Sequence, residues 1–158
     1  DNESFNGIID YLIKKSKNIN EEIIVTASSY NSEANHSIFN YEDKNSSFLT
    51  QSKDNSWISL EFKNHLIKPF NYTIRINNYD NVDNLKSWNI EGSNNSKEWF
   101  LVDERKNVPR FFHNTFAINP IPERMKYFRI RMTDKSWQNR GYLEINSLEI
   151  YGELFKDN

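Results

Sequence analysis

Residues 126–154, K-Y-F-R-I-R-M-T-D-K-S-W-Q-N-R-G-Y-L-E-I-N-S-L-E-I-Y-G-E-L, carry the clearest hydrophobic alternation in the chain. Phe128, Ile130 and Met132 fall on one side and Tyr127, Arg129, Arg131 and Thr133 on the other, the period of a strand with one face on a core. After a polar loop the alternation resumes at Leu143 and Ile145, then changes phase to Leu148 and Ile150. A phase change inside one strand predicts a bulge near Asn146 and Ser147. The same period recurs upstream. Residues 23–28 are β-rich; Trp57–Phe62 places Ile58, Leu60 and Phe62 inward; residues 70–77 place Tyr72, Ile74 and Ile76 inward, with Pro69 at the entrance. Trp88, Ile90 and Gly92 mark a further strand, Trp99 and Leu101 the next. Phe116 and Ile118 share one side of a strand over residues 112–118 that Pro120 and Pro122 end.

Only the start reads differently. Phe5, Ile8, Ile9, Leu12 and Ile13 recur at helical spacing, predicting one short amphipathic helix with Ser4 as its cap. About eight strands without helical crossovers predict antiparallel pairing, and so an all-β sandwich. Residues 1–20 read as the helix and lead-in, residues 21–155 as the β-sandwich. Trp88 and Trp99 are expected in the core. Trp57, which precedes the inward Ile58, is left open.

Composition narrows the function classes. A chain of 158 residues is the size of one domain, and a net charge of −2 supplies no basic stripe, which argues against nucleic acid. Cysteine is absent, so disulfides, thiolate metal sites and cysteine nucleophiles are excluded, and a reducing, cytoplasmic setting is expected. No run approaches the roughly 18 apolar residues of a membrane span. The 24 asparagines are scattered between alternating hydrophobics, so the N-x-S/T sequons at Asn2, Asn35, Asn45, Asn71 and Asn94 are expected by chance. The first residue, Asp1, is not methionine, so a piece of a longer chain is expected.

Catalytic constellations do not assemble along the sequence. Glu21 and Glu22, Glu42 and Asp43, and Asp103 and Glu104 are adjacent pairs, and neighbours on a strand point to opposite faces rather than flanking one bond. They read as solvated surface charge. His36, His65 and His113 lack ligand spacing and read as isolated surface residues. Neither a Gly-rich phosphate loop nor G-x-S-x-G occurs. No enzymatic activity, metal or cofactor is expected.

Several runs carry a family resemblance: W-I-S-L-E-F at 57–62, Y-T-I-R at 72–75, S-W-N-I-E-G-S-N-N-S-K-E-W-F-L-V-D at 87–103, Phe116 to Ile118, Y-F-R-I-R-M-T at 127–133 and L-E-I-N-S-L-E-I-Y-G at 143–152. In this order and spacing, over residues 23–154, they resemble the discoidin, or coagulation factor 5/8 type C, domain. The opening F-N-G-I-I-D-Y-L-I-K-K resembles the intracellular branch associated with BTB and BACK modules. The resemblance implies an eight-stranded antiparallel jelly roll, galactose-binding-like, and a noncatalytic recognition role toward glycans, lipid head groups or proteins.

Two departures matter. Extracellular members tie their ends with a disulfide that this chain cannot form. Members that bind calcium or sugar carry an Asp-Gly followed by Thr and Trp, whereas this chain reads Y-E-D-K-N-S-S-F-L-T-Q-S and lacks the Gly, which argues against a calcium site at Asp43 with Glu149. The other reading is a surface loop and a strand-end carboxylate.

In such a barrel the loops at 30–55, 78–86, 103–110 and 134–142 should gather at one end. The last holds Trp137, Gln138, Asn139 and Arg140, and the second Tyr79, Asp80 and Asp83. An aromatic ring beside Arg and amides suits a sugar or peptide, the ring giving area and the polar groups fixing hydrogen bonds. These seven are the candidate ligand-binding residues. The competing reading has Trp137 as a lid and Arg140 paired with Asp80 or Asp83. The expected function is a protein-interaction module of a larger intracellular adaptor-type protein; the alternative is a carbohydrate-binding domain using these loops. Membrane binding would need apolar tips, of which Phe39 and Phe48 are the conceivable ones, and the charge gives it no support.

Overall fold

The computed structural model describes residues 5–31 and 37–158, which excludes Ser4, His36, and the sequons at Asn2 and Asn35. One helix, α1 (Ile8–Lys15), precedes the strands β1 (Ile23–Ala27), β2 (Phe48–Leu49), β3 (Trp57–Phe62), β4 (His65–Arg75), β5 (Trp88–Ser93), β6 (Phe100–Arg105), β7 (His113–Ala117), β8 (Tyr127–Met132), β9 (Glu144–Ile145) and β10 (Ser147–Lys156). Eight of these form two antiparallel sheets, one ordered β1-β3-β8-β5-β6 and the other β10-β4-β7, while β2 and β9 make a two-residue ribbon. This is the jelly-roll sandwich with a short N-terminal helix.

The sheets meet through aromatic side chains. Tyr72 of β4 stacks on Phe116 of β7 at 5.3 Å and meets Phe128 of β8 at 6.3 Å, while Trp88 of β5 packs edge-on to Phe116 at 5.1 Å. The Trp88 indole N–H donates to the Tyr72 hydroxyl at 2.9 Å, and that hydroxyl donates to Asp103 at 2.5 Å. Burial and the Asp103 carboxylate push the Tyr72 phenol well above its usual range. Two rings whose polar tips satisfy each other can fill the core without an orphaned group.

Three expectations change. Trp99 and Leu101 do not point inward: the β5–β6 register passes from Ile90 opposite Asp103 to Glu91 opposite Leu101, so Val102 is the extra residue that turns in. Leu101 is 53% exposed, and Trp99 lies half-buried on the outer face. Pro69 lies inside β4, at the point where the β4–β10 register shifts between Tyr151 and Gly152. Gly152 is required there, since its φ is +157° and a Cβ would come within 2.1 Å of the Lys68 carbonyl oxygen. Finally, the phase change at Asn146 is a handover between sheets rather than a bulge, β9 pairing with β2 and β10 with β4.

The helix is capped from the opposite end of the chain. Gly7 precedes α1 without a side-chain cap of its own, and the Glu149 carboxylate of β10 accepts the backbone N–H groups of Gly7, Ile9 and Asp10, each at 2.9 Å, and of Ile150 at 2.7 Å. A Cβ on Gly7 would meet the Ile150 carbonyl oxygen at 2.3 Å, so only glycine permits this approach. The contact seats Ile8, Ile9 and Leu12 in the common core. Glu149 is therefore a fully buried helix cap, neither a strand-end carboxylate nor half of a calcium site.

Candidate functional site

Backbone hydrogen bonds draw the loops together at one end of the sandwich. Val108 N–H donates to the Lys86 carbonyl at 2.9 Å, Thr133 N–H to Ser87 at 3.1 Å, Trp137 N–H to Asn84 at 3.0 Å, and Lys53 N–H to Gly141 at 3.4 Å. All four loops contribute, although the third begins only after β6 ends at Arg105.

Asp83 is the anchor of this end. Its side chain is almost fully buried and accepts the Ser136 hydroxyl at 2.8 Å, Arg140 Nε at 3.0 Å and Arg140 Nη2 at 2.9 Å. Arg140 Nη2 also donates to the Asn81 carbonyl at 3.0 Å. The two-point contact with Asp83 holds the guanidinium pKa above its ordinary value and fixes its plane. Gln138 and Asn84 answer each other: Asn84 N–H donates to Gln138 Oε1 at 2.7 Å and Gln138 Nε2 to Asn84 Oδ1 at 2.8 Å. Trp137 donates its indole N–H to the Val108 carbonyl at 2.8 Å, lies 5.3 Å from the Lys86 ammonium, and remains 37% exposed. Asn139, with φ +61°, turns the loop outward.

Tyr79 joins the same end from the other side. Its ring is exposed while its hydroxyl makes a short hydrogen bond to Glu144, and burial together with that carboxylate pushes the phenol up to about 12. Glu144 also accepts the Ser47 hydroxyl at 2.8 Å and the Asp83 N–H at 3.1 Å. Asp80 is exposed.

The seven candidate residues thus converge and divide into two roles. Asp83 and Gln138 are engaged inside the loop end and position it. Trp137, Asn139, Asp80, the Tyr79 ring and the outer edge of Arg140, whose Nη1 has no described partner, face solvent. Glu144, Ser136, Asn84 and Lys86 were not among the expected residues. Glu144 was not detectable, because alternation places a carboxylate between inward Leu143 and Ile145 on the solvent side, and only the packed loops bury it.

Other expected features move. His65 is buried, 3.6 Å from Glu22, and His113 is half-buried against Phe5 at 5.3 Å; burial lowers both imidazole pKa values, so neither is an isolated surface residue. Asp103 is likewise engaged by Tyr72 and Arg105 rather than solvated. Phe39 is buried and Phe48 half-buried in β2, so neither forms an apolar tip. Among the described residues, no group of three or more His, Cys, Asp or Glu could hold a metal ion, and no helix is long and apolar enough to cross a membrane.

Solved structures share this architecture. The CBM32-5 module of CpGH89 from Clostridium perfringens, in complex with GalNAc-β-1,3-galactose, matches with a TM-score of 0.66 at 13% identity over 82% of this chain and 95% of that one. The fold is the galactose-binding-like, or discoidin, jelly roll. The family 32 module of NanJ from C. perfringens, in complex with galactose, matches with a TM-score of 0.65 at 16% identity over 82% and 93% of the two chains. The lectin binding domain of lectinolysin, a His mutant complexed with Lewis b, matches at 0.67, 13%, 82% and 92% respectively. No family model matches the sequence, and no curated protein does. The similar structures lend no support to the BTB and BACK branch.

Proposed function

We propose that this chain is a noncatalytic carbohydrate-binding module whose ligand lies across the loop end, between Trp137 and the outer edge of Arg140. The observation that carries the reading is that one loop presents both groups in fixed positions: a partly exposed indole held by Val108, and a guanidinium locked by Asp83 with one amino group left open. A pyranose needs such a pair, an aromatic face for its C–H side and fixed donors for its hydroxyls, and it needs no deep apolar pocket. The likeness to modules whose structures contain galactose or Lewis b supports the same choice. Nothing comparable favours the expected protein partner.

A glycan array followed by calorimetry tests the reading. A galactose-terminated oligosaccharide is expected to bind the wild-type chain, and Trp137→Ala to weaken it at least about tenfold, the loss associated with a central aromatic contact of about 1.4 kcal/mol or more. A blank array at high protein concentration overturns the reading.

A further inference from the structure

The outer face of the five-stranded sheet carries a group that the loop end does not use. Arg129 projects from β8, opposite Ser59 of β3 and Glu91 of β5, and Arg131 opposite Trp57 and Asn89. The Arg129 guanidinium lies 3.8 Å from the Trp99 ring centre and 5.7 Å from that of Trp57, so two indoles flank it. Tyr127 meets Trp99 edge-on at 6.2 Å. Exposed Leu101 and Ile24 lie on outer strands of the same sheet.

We infer that this face is a second glycan site, taking a sugar that bears a carboxylate or sulfate. The inference rests on the carbohydrate-binding reading and extends it to another surface and another ligand class. Glu91 accepts Arg129 Nε at 2.8 Å and Arg131 Nε and Nη2 at 3.0 Å, and Arg131 Nη1 donates to Asn55 at 2.8 Å. Arg131 is thus engaged at every nitrogen. Arg129 keeps both amino groups, Nη1 and Nη2, without a described partner, although its side chain is only 16% exposed, and neither is sealed from solvent. A guanidinium so covered, with its fork open, fits two oxygens of a carboxylate or sulfate in two-point contact.

Charge points the same way. Two guanidinium groups share one carboxylate, so the centre of this face keeps one uncompensated positive charge in a chain whose net charge is −2. Two further carboxylates face outward on this sheet, Glu61 opposite Tyr127 and Glu104 opposite Asn89; neither pairs with an arginine, and Glu104 lies 3.6 Å from Lys106. The indoles supply the sugar's apolar contact. Trp99 also lines a hollow of about 380 Å³ with Asn94, Asn95, Glu98 and Phe100. There Asn95 accepts the Lys97 and Glu98 N–H groups through Oδ1 and keeps its amide donors for a neighbouring ring. Glu98 repels a second acid, which favours one charged unit on a neutral chain over a polyanion.

Calorimetry with 3′-sialyllactose, 3′-sulfolactose and lactose tests this. One or both anionic trisaccharide or sulfated probes are expected to bind more tightly than lactose, with affinity falling as NaCl rises from about 50 to 500 mM. Arg129→Gln should weaken that binding at least about tenfold, Arg129→Lys less, and Trp137→Ala not at all. Because Arg129→Gln leaves the Glu91–Arg131 pair in place, the fold should persist; Trp57→Ala is the second variant and should also weaken binding. Failure of both anionic probes to bind overturns the inference, as does binding that survives Arg129→Gln and Trp57→Ala, or that is lost only with Trp137→Ala. Neutral glycans bound through Trp137 with no anionic binding would leave the loop-end reading standing and sink this one. Anionic binding with a blank neutral array would do the reverse. If an Asp/Glu hexapeptide displaced the anionic sugar at equal concentration, the face would serve acidic protein segments, and the glycan inference would fall.

Discussion

Two buried carboxylates, Glu149 at the helix junction and Asp83 at the loop end, are exposed by 0% and 3%, yet they organise their surroundings in opposite ways. Among the described residues, Glu149 is held chiefly by backbone N–H groups, from Gly7, Ile9, Asp10 and Ile150, with the Tyr41 hydroxyl close by. Every donor in that arrangement ends inside the protein. Asp83 accepts side-chain donors, and one of them, Arg140, reaches on to solvent. A buried charge satisfied by backbone fastens an element; one satisfied by a long side chain aims it. The helix junction is therefore scaffold, and the loop end is a positioned surface.

The largest test of that distinction is Glu149→Ala. Three helix N–H groups would lose their acceptor, at about 1 kcal/mol or more each, so urea unfolding should show a loss of about 3 kcal/mol. The helix would also lose the partner of its positive end. Protonation gives a finer reading. Burial raises the Glu149 pKa above 4.5, outweighing the N–H groups that lower it. The native state then holds this proton more tightly than the unfolded chain, so the Glu149 contribution falls as pH rises from the ordinary carboxylate range toward the raised native value. Stability of the wild type relative to Glu149→Gln should decline over that interval and flatten above it; an increase would show that the N–H groups dominate.

Asp83→Asn should have the next effect. It replaces the carboxylate that Arg140 grips at two points, which costs about 2 kcal/mol when hydrogen bonds to a charged group are lost. Amide exchange should quicken across residues 133–143 and leave α1 protected. If α1 loosened equally, the two junctions would be one cooperative unit and the comparison would collapse.

These two carboxylates also mark where the sequence was legible. Alternation located the strands because their inward side chains are apolar on one face, and the convergence of the loops followed from antiparallel connectivity. Glu149 was misplaced because nothing local shows that a β10 carboxylate meets a helix some 140 residues earlier, a separation of 142, 140 and 139 residues for its three helix contacts. Trp99 was misplaced because its strand carries an extra residue at Val102, and period-two counting cannot register an insertion without seeing the partner strand. At the loop end, the identities of Trp137 and Arg140 were visible in the sequence. The choice between Asp80 and Asp83 was not, since both lie in one turn and only packing buries Asp83.

The smallest effect on stability, and the sharpest on the comparison, is expected at Trp137. Its ring is 37% exposed, and its fixed contacts are one hydrogen bond to the Val108 carbonyl and the Lys86 ammonium at 5.3 Å. A single hydrogen bond contributes about 1 kcal/mol and an exposed cation–π contact about 0.5 kcal/mol, while truncation leaves the Val108 carbonyl free to meet water. Trp137→Ala should therefore lower the unfolding free energy by no more than about 1.5 kcal/mol, measured in urea at neutral pH. A scaffold residue of that size in the core would cost about 3–5 kcal/mol. A loss in the core range would make Trp137 a lid on the barrel, fastening the loops as Glu149 fastens the helix, and would leave Arg140 as the only aimed group at that end.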